Sequence, residues 1–433
     1  MNIIKSIAQS IQLEKKLFTR KEARLFWLYI ALYALMAINV LPKDIILLVI
    51  TSLFVLSSTR LCFFMFVFYT LWDEVSVFSF GITCSLIFSC VLLGKILFLD
   101  RQFKKLIHHK LFAISFLWMI YILIYGVFSH LSGNGFTGIN IFFKSVFLIY
   151  ALLFINNEES SYVFWKTIFQ ITAISVLLTV IYGHFYGTAL DRWISGLDDN
   201  IGSQIYGTLG TTRTGIFTVI SIVYSLYFIK NRTLKIAFSF LYSAITLMTI
   251  SLTAFSLMII IYIIYFYHIG YLKMRNIVLF LLVLSTSLYI SYPFISQIDV
   301  VKPVLARVEN AVEAFSTGDV NKATSGREDL ASIYINEFSS YPFCYQLLGV
   351  TRTAAVGSVG GNDMNSHNSY IDMLFYYGIL GIFFLIFTSL YKLSYYRMNK
   401  CFYPILSLKL IILLAAFSVS VFSSPYFIFY SLI

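Results

Sequence analysis

The chain has 433 residues, 59% of them hydrophobic and only 12% charged, with a mean hydropathy of +0.84 and a formal net charge of +11. A soluble core has no room for that much apolar side chain, so the composition excludes an ordinary water-soluble enzyme and leaves a polytopic membrane protein as the expectation. Only helices and closed barrels satisfy their backbone in lipid, and long apolar runs without dyad alternation select helices. The expected fold class is therefore all-α, a membrane-spanning helical bundle forming one domain over 1–433.

Met1 to Arg24 carries six Lys or Arg and lacks a long apolar core. Residues 1–24 thus read as a cytoplasmic, interfacial amphipathic start and not as a cleaved signal sequence. Apolar runs long enough to cross, or nearly so, follow at about 25–42, 44–58, 60–72, 75–98, 111–130, 139–156, 162–184, 212–229, 233–250, 252–269, 275–293, 369–391 and 404–421. With Ser424 to Ile433 as a further partial span, twelve to fourteen crossings are expected. The five cysteines show neither a disulfide framework nor metal-ligand spacing.

Positive charge orients these spans. Starting inside, alternation places nineteen of the 31 Lys and Arg on the cytoplasmic side, among them Arg60, Lys230, Arg232, Lys235, Lys392 and Lys400, against eight outside. Topology therefore accounts for the net charge, and no nucleic-acid partner is expected. Asn156 to Ser161 fits least well, because a cytoplasmic turn there carries Glu158 and Glu159. The same orientation leaves two sizeable outer segments, 185–211 and the longer 292–368.

The longer segment has internal order. Asp299 to Gly318 places Leu305, Val308, Val312 and Phe315 on one helical face. Ser325-Gly326-Arg327-Glu328 matches a capping box, and Leu330, Ile333, Tyr334 and Phe338 continue at helical spacing until Tyr341-Pro342 breaks the run. Leu348 to Asp363 is turn-rich, with Gly349, Gly357, Gly360 and Gly361. Ser369 to Asp372 has the S-x-x-D form, so the next span is expected to start at Ser369, with His367 just before it. Free backbone N–H groups and the positive dipole end favour an anion at such a place. The segment thus reads as an ordered lid containing two helices.

Each polar residue here has a plain reading beside a chemical one. Asp372 is accounted for as a capping carboxylate. His367 is either a wet interfacial histidine or an acid–base group set among glycines. Arg192, Arg213, Arg327 and Arg352 are either solvated or headgroup-facing charges, or a set suited to bidentate phosphate recognition. Arg213 stands in GTTRTGIF at the mouth of a span, where a charge is costly unless paired. Tyr334 and Phe338 read as core packing in preference to lipid or sugar contacts.

A many-span chain with a large late outer loop, SGREDL opening a loop helix, an LLGV segment, and SHNSYIDMLFYYGILG closing the loop resembles the O-antigen polymerase and O-antigen ligase superfamily of bacterial surface-polysaccharide enzymes. The topological likeness runs over nearly the whole chain, and the motif likeness over about Ser325 to Gly381. The resemblance implies a metal-independent glycosyltransferase without a cofactor, multi-pass in the bacterial inner membrane, with its site and both outer segments facing the periplasm. Its substrates would be undecaprenyl-pyrophosphate-linked oligosaccharides, and membrane lipid and a chain-length regulator protein would be its partners. Carried over position by position, the family's histidine and basic residues fall on His367 and Arg327 as catalytic groups. Arg213, Arg192, Arg352, Asn368 and Tyr370 would contact pyrophosphate or sugar.

One departure bears on the choice within that superfamily. Ligase-like members often carry an Arg in the tight outer hairpin between two mid-chain spans, and here that stretch is MTISLTAFS, Met248 to Ser256, without one. The departure favours a polymerase over a ligase that moves finished glycan onto lipid A-core. A flippase or transporter for the same lipid-linked sugar is the rival of another class, and would place its polar groups near mid-bilayer on broken helices.

Overall fold

Our computed structural model describes residues 17–38, 40–73, 75–79, 81, 83–100, 106–131, 149–155, 157–186, 211–249, 251–271, 309, 312–313, 316–317, 327–349 and 368–418. Among these the regular elements are helical: α1 (Arg20–Ala37), α2 (Lys43–Leu56), α3 (Thr59–Tyr69), α4 (Cys84–Gly94), α5 (Phe112–Leu131), α6 (Glu158–Tyr186), α7 (Thr211–Phe228), α8 (Arg232–Met248), α9 (Leu252–His268), α10 (Arg327–Ser340), α11 (Phe343–Leu348), α12 (Ser369–Tyr396) and α13 (Phe402–Ala415). The all-α expectation therefore holds for the described residues, whose only β contact is an isolated bridge between Val77 and Thr83. Among the described residues two segments, Glu158–Gly183 and Ser369–Tyr396, are by length and composition long and apolar enough to cross a membrane.

Helix limits fall within a few residues of most apolar runs, with one clear correction. The run at 75–98 becomes helical only at Cys84. Before it Gly81 takes φ +87°, Val77 bridges Thr83, and the Asp44 carboxylate accepts both the Ser79 N–H, at 3.1 Å, and the Ser79 hydroxyl. Hydroxyls and a left-handed glycine offer the backbone turn geometry there in place of helix. The run at 275–293 and nearly all of the first expected loop helix lie outside the described residues, as does most of 185–211.

The chain divides into two compact units, one of Met1–Gln12 with Thr172–Gly326 and one of Leu13–Ile171 with Arg327–Ile433, and α6 contributes to both. In the second, every residue of α3 from Leu61 to Tyr69 is buried, as suits a helix apolar all round. Phe26, Tyr29 and Tyr33 of α1 pack on Phe68 and Trp72, while Phe63 and Phe64 meet Phe154 and Phe164. At one end of this core Thr19 and Glu22 form a reciprocal capping box, and Glu22 also accepts from Ser58 at 2.6 Å and pairs with Arg60 at 3.8 Å. Burial alone would raise the Glu22 pKa, but the bonds from Ser58 and Thr19, with Arg60 nearby, hold it below the ordinary glutamate value. Its contribution to stability is therefore present at neutral pH and is lost as pH falls through the carboxylate range. Beside it Lys95 donates to the carbonyls of Val55, at 2.7 Å, and Ser57, capping the end of α2.

Glu158 and Glu159, awkward as loop charges, are first-turn residues of α6, where the helix dipole favours acids. Asn157 and Ser160 cap that turn reciprocally, and Glu158 accepts the Lys400 N–H at 3.3 Å. In the other unit, α7 buries Thr218, Ser221 and Ser225. Each hydroxyl bonds the carbonyl four residues back, so the polar groups are satisfied without water. Gly215 lets α7 approach the hairpin between α8 and α9: a Cβ there would lie 2.7 Å from Ala254 Cβ and 2.8 Å from Thr249 Oγ1. Within each unit further polar ties join helix ends, as with Glu22 and Arg60, Asp44 and Ser79, Glu158 and Lys400, and Lys235 and Tyr265.

Candidate functional site

Two short helices, α10 and α11, pack on α12. Its first turns receive α10: Tyr334 and Phe338 are buried against Ile371 and Phe375, and the rings of Tyr334, Phe338 and Tyr341 all present edges to Phe375 at 5.5, 5.5 and 6.2 Å. Core packing is thus what these two aromatic residues do. One turn further along, α12 breaks at Gly378, whose φ of 65° and ψ of −171° lie outside helical space. The short α11 ends at Gly349, φ 93°, and its backbone lies against that break. A Cβ on Gly378 would stand 2.3 Å from the Leu347 carbonyl oxygen, and one on Gly349 would stand 2.7 Å from the backbone of Tyr376 and Tyr377. Only glycine allows both conformations and the approach. The break frees the Tyr377 carbonyl, and Tyr121 of α5 donates its hydroxyl to it at 2.6 Å.

At its start α12 differs from the expected cap. The N-cap is Asn368, whose Oδ1 accepts the N–H of Tyr370 at 2.9 Å and of Ile371 at 3.4 Å. Ser369 is therefore the first helical residue, with its N–H on the Ala416 carbonyl at 2.7 Å, and Asp372 is a first-turn acid and not the partner of a Ser369 cap. The cap falls one residue earlier because Asn is at least as good an N-cap as Ser, and the α13 end gives the Ser369 N–H another acceptor. Tyr370 ties the same two helices, donating to the Leu413 carbonyl at 2.7 Å with its ring 4.7 Å from Phe417.

Of the residues singled out in the sequence, Asn368, Tyr370 and the backbone of Arg327 fall in one unit, where Arg327 begins the helix packed on the first turns of α12. Arg213 is in the other unit, half-buried in the first turn of α7 and two positions from the Gly215 contact with Thr249 and Ala254. His367, Arg192 and Arg352 lie outside the described residues. Asn368 and Tyr370, read as substrate contacts, spend the Asn368 Oδ1 and the Tyr370 hydroxyl proton on fixing the helix that follows His367. No cluster of His, Cys, Asp or Glu able to hold a metal occurs among the described residues.

Two lysines, Lys392 and Lys409, are buried among the described residues. Lys392, just past the apolar run at 369–391, lies within α12, which continues to Tyr396, and is 4% exposed. Lys409 of α13 is 3% exposed and close enough to Lys392 to feel its charge. Lys409 was visible as a lone cation in an apolar run, FYPILSLKLIILLA, but the burial of Lys392 depends on neighbours that local sequence does not reveal. Comparison of the chain with protein-family models, with curated proteins and with solved structures finds no match.

Proposed function

We propose that the chain is a polytopic bacterial inner-membrane glycosyltransferase, a surface-polysaccharide polymerase that elongates glycans carried on undecaprenyl pyrophosphate at the periplasmic face. The observation that carries the reading is the meeting of Gly349, from LLGV, with Gly378, from YYGILG. It seats α11 on the helix that SHNSY opens, and α10, which Arg327 begins, packs on the same helix. Further support comes from the apolar runs that become helices, two of them of spanning length. The hairpin that lacks an arginine is approached by α7, which carries Arg213 in its first turn, so a basic residue is near that hairpin by another route.

In the proposed reaction the acceptor sugar's hydroxyl oxygen bonds to the donor's anomeric carbon as the bond from that carbon to the pyrophosphate oxygen breaks. The electron pair leaves with undecaprenyl pyrophosphate, and the hydroxyl proton passes to His367. Arg327 balances the charge that gathers on the leaving pyrophosphate, and no metal or cofactor takes part.

Two experiments test this assignment. Cysteine placed at Lys322 or Ser358 in a cysteine-free background is expected to react with a membrane-impermeant reagent in intact cells whose outer membrane admits it. Reaction only after the inner membrane is permeabilised contradicts the topology. Arg327→Lys keeps the charge but loses the planar fork, so elongation by purified protein on a lipid-linked repeat unit should fall. Arg327→Ala should fall further, by about 10- to 100-fold, the cost of one charge-assisted contact. Wild-type rates for both variants at normal membrane levels would make Arg327 a solvated charge.

A further inference from the structure

The unit containing α7, α8 and α9 holds a cavity of about 700 Å³ that glycosyl transfer does not use. Three cations line it, Lys230 before α8, Arg232 at its start and Lys235 in its first turn. No carboxylate is among its lining residues. Lys235 is held in place: its Nζ donates to the Tyr265 hydroxyl at 3.2 Å and lies 5.5 Å from the centre of that ring. Ser239 lines the same space, is only 6% exposed, and its hydroxyl has no hydrogen-bond partner among the described residues. Beside the cations α8 carries Ile236 and Phe240, which also line the cavity and are 60% and 75% exposed.

Cations without carboxylates ask for an anion, and large exposed apolar side chains next to them ask for hydrocarbon. A soluble phosphate satisfies only the first demand and a neutral lipid only the second. We propose that this cavity binds the phosphate headgroup of an anionic glycerophospholipid of the inner leaflet, with an acyl chain along Ile236 and Phe240. The proposal rests on the membrane orientation given above, in which Lys230, Arg232 and Lys235 face the cytoplasm, and not on the chemistry of glycosyl transfer. Basic pockets between helices on that side take anionic headgroups, with the attraction falling as salt rises.

The test titrates the delipidated, purified full chain with phosphatidylglycerol, phosphatidylcholine or inorganic phosphate, reading thermal unfolding and bound lipid by native mass spectrometry. Phosphatidylglycerol is expected to bind and raise the unfolding midpoint, whereas phosphatidylcholine and inorganic phosphate are not. Each cation removed should weaken phosphatidylglycerol about fivefold, so Arg232→Ala with Lys235→Ala should cost about 25-fold, while Lys235→Arg retains binding. Equal stabilisation by phosphatidylcholine, equal stabilisation by inorganic phosphate, or undiminished binding by a folded double variant overturns the site. Lys230→Cys should label only after the inner membrane is permeabilised, and labelling in intact cells overturns the leaflet. Polymer synthesis is measured separately on the same preparations, so its absence from wild type would reject the polymerase reading while the lipid titration still decides this cavity.

Discussion

His367→Ala is expected to slow glycan elongation by about 10²- to 10⁴-fold while donor binding survives, the range usual for a positioned acid–base group. The reason lies in the placement of the residue one step before the N-cap of α12. The Asn368 cap, the Ser369 bond to Ala416 and the Tyr370 bond to Leu413 fix the helix that follows it. Pyrophosphate contacts are assigned to arginines, and the alanine variant should therefore still bind donor. A histidine acting as base must be neutral, so wild-type activity should fall once the pH is low enough to protonate it. Full-length polymer from an abundant His367→Ala protein would remove the residue from the mechanism and leave SHNSY as a helix cap.

Gly378→Ala should abolish the seat of α11 on α12. The glycine occupies a region of backbone space that other residues essentially do not enter, at a strain of about 1–3 kcal/mol, and the new methyl would meet the Leu347 carbonyl. Overpacking adds about 1–3 kcal/mol more, a large share of the roughly 5–15 kcal/mol that stabilises a typical domain. Purified Gly378→Ala is therefore expected to unfold at a markedly lower temperature than wild type and to lose elongation activity. Gly94→Ala is the control, since a Cβ there meets nothing within 4 Å. Equal unfolding temperatures for the two variants would contradict the backbone contact between Gly349 and Gly378.

Much of the helical segmentation was legible from the length of the apolar runs, and the structure adds side-chain caps at Thr19 before α1, Asn231 before α8 and Ser251 before α9. The loop helix begun by Arg327 was legible from its apolar positions recurring at helical spacing. What failed was decided by tertiary partners. Asp44 draws Ser79 into a turn, the end of α13 moves the cap of α12 to Asn368, and packing around α12 buries Lys392. The glycines at 349 and 378 were visible as turn and motif residues, but that each makes room for the other's backbone is a property of the fold. The candidate site was legible only as residue types in two segments, because Arg213 and Arg327 belong to separate units and no local pattern joins them.

The polysaccharide profile of a strain lacking this chain, with and without complementation, tests the central proposal most directly. A polymerase predicts a single repeat unit capped on lipid A-core, with long chains restored by wild type and not by His367→Ala. Bare core with lipid-linked polymer accumulating, or single units trapped on the cytoplasmic side, would contradict it in favour of a ligase or a flippase.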